Sequence, residues 1–119
     1  MKIAVTSQGT DLEAQVDPRF GRAAYVIVVD SETNEFKVID NSSNVNAMKG
    51  AGIQAASNVV NSGAKVLLTG FCGPNAFKAL QAGKVAISND ASGTVREAVK
   101  SYLDGKLPHA DSANVEGHW

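Results

Sequence analysis

The spacing of apolar residues changes partway along the chain. In the first half they come as short runs rich in β-branched residues, Lys2 to Ser7 and then Ala23 to Asp30, which contains Tyr25-Val26-Ile27-Val28-Val29. From Glu35 to Asp40, Phe36 and Val38 alternate with Lys37 and Ile39, the two-residue period of a pleated strand. The turn formers Ser31-Glu32-Thr33-Asn34 separate the last two runs and predict an antiparallel hairpin. Asp11 to Arg22 is polar, broken by Pro18 and Gly21, and reads as a loop.

In the second half the period lengthens. Ile53, Ala56, Val59 and Val60 fall at helical spacing, and Gly63 stands where a helix end favours positive φ. Lys65 to Thr69 is a compact apolar strand. Pro74 opens a second helix, in which Phe77, Leu80 and Ala79 face the core up to the stop at Gly83. Val85 to Ser88 is a further strand. Thr94 to Asp104 forms a last helix with Val95, Ala98, Val99, Tyr102 and Leu103 on its apolar side, and Gly105 ends it. The order β-β-β-α-β-α-β-α describes an α/β domain with a mixed sheet, its helices acting as crossovers between parallel strands.

That order predicts where a ligand would sit. With the first strand central, parallel to the last two and antiparallel to the second, the carboxyl ends of strands one, three, four and five share one edge. Ligands of open α/β sheets favour that edge. Its loops are Ser7-Gln8-Gly9, Phe20-Gly21-Arg22, Asn41 to Asn46, Gly70 to Asn75 and Ser88 to Thr94. Gly9, Gly21, Gly50, Gly52, Gly70, Gly73 and Gly93 gather there, as do the N-termini of all three helices, whose unpaired N–H groups attract anions. Arg19 and Arg22 are the only arginines outside the last helix; solvated charges or partners of Asp17 are the alternative reading of both.

Composition narrows the chemistry. The 119 residues fit one domain, and a charged fraction of 19% is too low for a disordered chain. A net charge of −1 gives no global field for a nucleic acid. One cysteine and two histidines exclude a disulfide within the chain and a four-thiolate metal site. The first strand lacks the carboxylate that a magnesium-dependent nuclease of ribonuclease H-like layout needs, and no lysine-bearing phosphate loop is present. No segment is apolar enough for a bilayer span or a signal peptide, so no membrane role and a cytoplasmic location are expected. Cys72, at the entrance of the second helix, reads either as a small buried hydrophobe or as a thiol activated by the helix terminus. His109 and His118 lie in or beside a polar tail.

Several segments together resemble the dinitrogenase iron–molybdenum cofactor biosynthesis family, the NifX-like accessory proteins. They are Met1 to Ser7, Val16-Asp17-Pro18-Arg19-Phe20-Gly21-Arg22-Ala23, Gly50 to Ala56, and Thr69-Gly70-Phe71-Cys72-Gly73-Pro74-Asn75-Ala76-Phe77, with Gly93-Thr94-Val95 and Gly105-Lys106-Leu107 fitting later on. The resemblance spans residues 1 to 107 and implies a ribonuclease H-like fold without nuclease activity. Through the short stand-alone members of sulfate-reducing bacteria it implies a molybdenum–copper sulfide cluster held without covalent protein ligands, and association with ATPases and cell-division proteins. Family members commonly carry another residue where Cys72 stands.

These strands of reasoning give one expectation. Residues 1–107 form a non-enzymatic cofactor-binding domain and residues 108–119 a flexible tail. The domain carries an anionic cluster of thiomolybdate type on Ser7, Gln8, Arg19, Phe20, Gly21, Arg22, Asn41, Gly70, Phe71, Cys72, Gly73, Asn75 and Gly93, with Phe20, Phe71 and Met48 supplying apolar neighbours and Cys72 a candidate metal ligand. The alternatives are a protein-interaction or regulatory module and a binder of small anions or nucleotides.

Overall fold

A computed structural model describes residues 1–41 and 51–110. The expectations placed on residues 42–50, including Met48 and Gly50, and on the tail from 111 onward, including His118, lie outside the described residues.

Five strands form one mixed sheet: β1 (Lys2–Ser7), β2 (Tyr25–Asp30), β3 (Phe36–Asp40), β4 (Val66–Leu68) and β5 (Ala86–Ser88), in the order β3-β2-β1-β4-β5. β2 runs antiparallel to β1 and β3, while β4 and β5 run parallel to β1. The hairpin and the central place of β1 agree with the expectation from sequence. Among the described residues three helices accompany the sheet: α1 (Ala51–Asn61), α2 (Pro74–Ala82) and α3 (Val95–Leu103).

Alternation along the strands divides the core in two. Ala4, Val26, Val28, Leu67 and Ile87 face α1 and α2, where Ala55, Ala56, Val59, Ala76, Phe77 and Leu80 meet them. Ile3, Val5, Ile27, Val29, Val66 and Leu68 face Val95, Ala98 and Val99 of α3. β1 is buried from Ile3 to Ser7 because both its faces are covered, and so it lacks a polar face.

Two helical residues expected to face inward point out: Ile53 is 51% and Leu103 53% exposed. On α1 the buried stripe runs through Ala55, Ala56 and Val59, small residues that let the helix settle close to the sheet. Leu103 ends α3, past the stripe of Val95, Ala98 and Val99. β3 is the outer strand, so Phe36 and Val38 remain exposed while Ile39 packs on the first core cluster. The opposite border is covered from the C-terminal side. The Ala110 N–H donates to the Ile87 carbonyl at 2.6 Å, and Ser88 Oγ donates to the Pro108 carbonyl at 2.9 Å. His109 stacks on Tyr102, with its Nε2 2.8 Å from the Tyr102 hydroxyl.

Candidate functional site

The chain reverses its direction of travel across the sheet between β1 and β4, so a crevice is expected beyond their carboxyl ends. The chain's own Asp17 to Phe20 segment fills it. The Asp17 N–H donates to the Thr6 carbonyl at 2.9 Å, Thr6 Oγ1 donates to the Asp17 carbonyl at 2.6 Å, and Thr69 Oγ1 lies 2.9 Å from Thr6 Oγ1. Pro18 to Phe20 is then laced to the loop after β4. The Phe71 N–H donates to the Pro18 carbonyl at 2.6 Å and the Phe20 N–H to the Phe71 carbonyl at 3.0 Å. Phe20 drops into the first core cluster and is buried.

What remains outside is a rim built from the two laced loops. Gly21, at φ +93°, turns the chain so that the Arg22 N–H reaches the Arg19 carbonyl at 3.2 Å. Asn41 is buried and clamps this turn, its Nδ2 donating to the Ala23 carbonyl at 2.8 Å and its N–H to the Ala24 carbonyl at 2.8 Å. The Arg19 side chain is 49% exposed, with Nε 3.7 Å from Asp17 Oδ1. Arg22 is half-buried, so the rim carries two guanidinium groups, that of Arg19 next to the Asp17 carboxylate. Phe71 offers an apolar surface, 39% exposed, next to them.

The N-termini of α2 and α3 are not equivalent. In α3 the N–H groups of Val95 and Arg96 donate to the Ala14 and Leu12 carbonyls at 2.9 Å each, and that of Glu97 donates to Thr94 Oγ1 at 3.1 Å. The 8–16 loop therefore plugs this terminus. Ser7 and Gln8 hold the loop: Ser7 Oγ donates to the Gly9 carbonyl at 2.9 Å, and the Gln8 N–H to the Gln15 carbonyl at 2.9 Å. Gly93 belongs to the same arrangement, its carbonyl accepting from the Val16 N–H at 2.9 Å. The plug depends on contacts distant in sequence, and no local pattern announces it.

At α2 the opposite holds. Gly73 caps this helix without a side-chain bond, and Pro74 contributes no N–H. The N–H groups of Asn75 and Ala76 take no acceptor among the described residues. They follow Cys72 by three and four positions, in the first turn of α2. Cys72 itself is fully buried in the first core cluster, and desolvation pushes its pKa up to about 12. It is therefore a neutral thiol near pH 7. Among the described residues, no group of three or more His, Cys, Asp or Glu could hold a metal ion.

Of the residues expected at a site, Arg19, Gly21, Arg22, Phe71, Gly73 and Asn75 are brought together at the rim, with Gly70 as the point where its loops touch. Ser7, Gln8, Phe20, Asn41 and Gly93 instead hold the structure that supports it.

Residues 1–105 match the dinitrogenase iron-molybdenum cofactor family. The chain belongs to this family. It is similar to the apo form of the orange protein from Desulfovibrio gigas, with 48% identity, 96% of each chain covered and a TM-score of 0.93. A NifB-like protein from Thermotoga shares 33% identity over 98% of each chain, with a TM-score of 0.84. An uncharacterised protein of Methanocaldococcus jannaschii is 29% identical over 110 residues, 90% of this chain and 89% of that one. Membership points to a cofactor-binding or carrier role. Among the described residues no helix is long and apolar enough to cross a membrane.

Proposed function

We propose that the protein is a non-enzymatic carrier of an anionic molybdenum–copper sulfide cluster of thiomolybdate type, seated on the rim formed by Pro18 to Arg22 and Phe71 to Ala76. The observation that carries this reading is the pair of unengaged amides, Asn75 and Ala76, at the start of α2, with the exposed Phe71 a few residues before them bridged to Arg19. Cluster sulfides accept hydrogen bonds, and the two amides and two guanidinium groups are donors only. Phe71 excludes water on one side, which strengthens those contacts. The neutral, buried Cys72 thiol is no ligand in this scheme, so the cargo is held without a covalent bond to protein and can be released intact.

The experiment is reconstitution. Metal-free protein mixed with tetrathiomolybdate and copper acquires visible charge-transfer absorption that co-elutes with the protein in size exclusion. Elution of all molybdenum and copper apart from the protein overturns the reading.

A further inference from the structure

The sheet face that carries α1 and α2 ends in a row of polar residues. Register places Ala4, Leu67 and Ile87 side by side across β1, β4 and β5, all in the first core cluster. Two residues further along each strand, on the same face, stand Thr6, Thr69 and Asn89. The hydroxyl oxygens of Thr6 and Thr69 are 2.9 Å apart, as neighbours in one row must be. The residues flanking Asn89 tie it to the rim loops. The Ser88 carbonyl accepts the Thr69 N–H at 3.1 Å, and the Asp90 N–H donates to the Gly70 carbonyl at 3.4 Å.

The two hydroxyls are committed and the amide is not. Each hydroxyl has one proton to give. That of Thr6 goes to the Asp17 carbonyl at 2.6 Å, so that of Thr69 goes to Thr6. The row keeps no proton for Asn89, whose Oδ1 is enclosed without a donor. Its Nδ2, which is not enclosed, takes no acceptor among the described residues. Asn41 is the contrast: its Nδ2 donates to the Ala23 carbonyl at 2.8 Å and clamps a turn. An enclosed acceptor with no donor weakens a fold. Asn89 thus holds nothing in the fold together, and what it offers is a neutral donor beside the rim.

We infer that Asn89 is a binding residue of the carrier site, its Nδ2 donating a hydrogen bond to a sulfide of the carried anion. The inference rests on the carrier reading and adds to it a side-chain donor without charge. The exposed Asp90 next to it offsets part of the attraction of the arginines, so a directed donor is what this end of the site contributes.

The test titrates tetrathiomolybdate with copper into the full-length protein and three variants, followed by visible absorption. The variants are Asn89→Ala, Asn89→Asp and Ser92→Asp, the last putting the same new charge on an exposed residue of the same loop. Asn89→Ala is expected to lose about tenfold in affinity with its unfolding midpoint in urea unchanged. Asn89→Asp keeps the shape but has no donor, and loses more than Ser92→Asp. In ¹⁵N-labelled protein the side-chain NH2 resonances of Asn89 move on loading. Unchanged affinity in Asn89→Ala, equal losses in Asn89→Asp and Ser92→Asp, a lowered midpoint in both Asn89 variants, or still side-chain resonances overturn this inference and leave the carrier reading standing. Failure of the unaltered protein to bind the cluster overturns both.

Discussion

Gly70 and Pro18 meet backbone to backbone: a side-chain carbon added at Gly70 would lie 2.8 Å from both the Cα and the carbonyl oxygen of Pro18. Neither atom can swing aside, because both belong to the main chain of the laced loops. Gly70→Ala therefore separates the loops and breaks the Phe71–Pro18 and Phe20–Phe71 hydrogen bonds. The expected cost is about 1 to 3 kcal/mol of stability in urea unfolding, from overpacking. Cluster retention falls with it, and an unchanged unfolding midpoint with full retention would contradict this assignment of Gly70.

Phe20 and Arg19 are neighbours with opposite duties. Phe20→Ala removes a buried ring from the first core cluster and is expected to cost about 3 to 5 kcal/mol. Arg19→Ala removes a half-exposed guanidinium and leaves stability within about 0.5 kcal/mol. Its effect falls on cluster retention. Thermal melts and metal co-elution of the two variants separate these roles.

Cys72 gives the protein a pH dependence at the alkaline end. Its pKa rises from an ordinary 9.0 to about 12 in the folded state. The unfolded chain then releases a proton more readily than the folded one, so stability from this group is intact below pH 9 and is lost as pH climbs toward 12. Cys72→Ala should flatten this loss in unfolding curves across that window and leave cluster retention in place. Thiol reagents should modify Cys72 only at the rate of unfolding.

Glu97 acts at the acidic end. Its carboxylate accepts the Thr94 N–H at 2.9 Å in a capping box, which lowers its pKa below the ordinary 4.5. A lowered folded-state value means stability present above about pH 4.5 and lost as pH falls through the folded-state value. Glu97→Gln reduces the slope of stability against pH in that acidic window, as read by chemical unfolding at a series of pH values. The same slope in both proteins would remove Glu97 from the account.

Gly83 sits against Val60 where α2 ends beside α1, and a side-chain carbon there would overlap the Val60 methyl groups. Gly83→Ala is expected to destabilise by about 1 to 3 kcal/mol, and Val60→Ala made together with it should recover part of that loss. A strictly additive double variant would show that the two residues do not share the space.

The strands were legible because each carries its own signal: β-branched runs at Tyr25 to Val29 and turn formers at Ser31 to Asn34. Pro74 marked α2 just as locally. Interior faces of helices were harder. Ile53 and Leu103 are large apolar residues near the right spacing, yet Ala55 and Ala56 occupy the interior, because closeness to the sheet favoured small side chains. At the site, the residue types Arg19, Arg22, Phe71 and Asn75 could be picked out from chain order. Which of the α2 and α3 ends stays open could not, since the Ala14 and Leu12 carbonyls that close α3 lie some 80 residues upstream.

The segment Pro108 to Ala110 along β5 has a consequence for assembly. A sheet with two bare borders can be lengthened indefinitely, copy upon copy. Among the described residues one border is already engaged by the chain itself at Ile87 and Ser88, and no strand pairs with the outer side of β3. Strand pairing between copies through the β5 border is thereby opposed, and pairing through β3 alone closes at two copies.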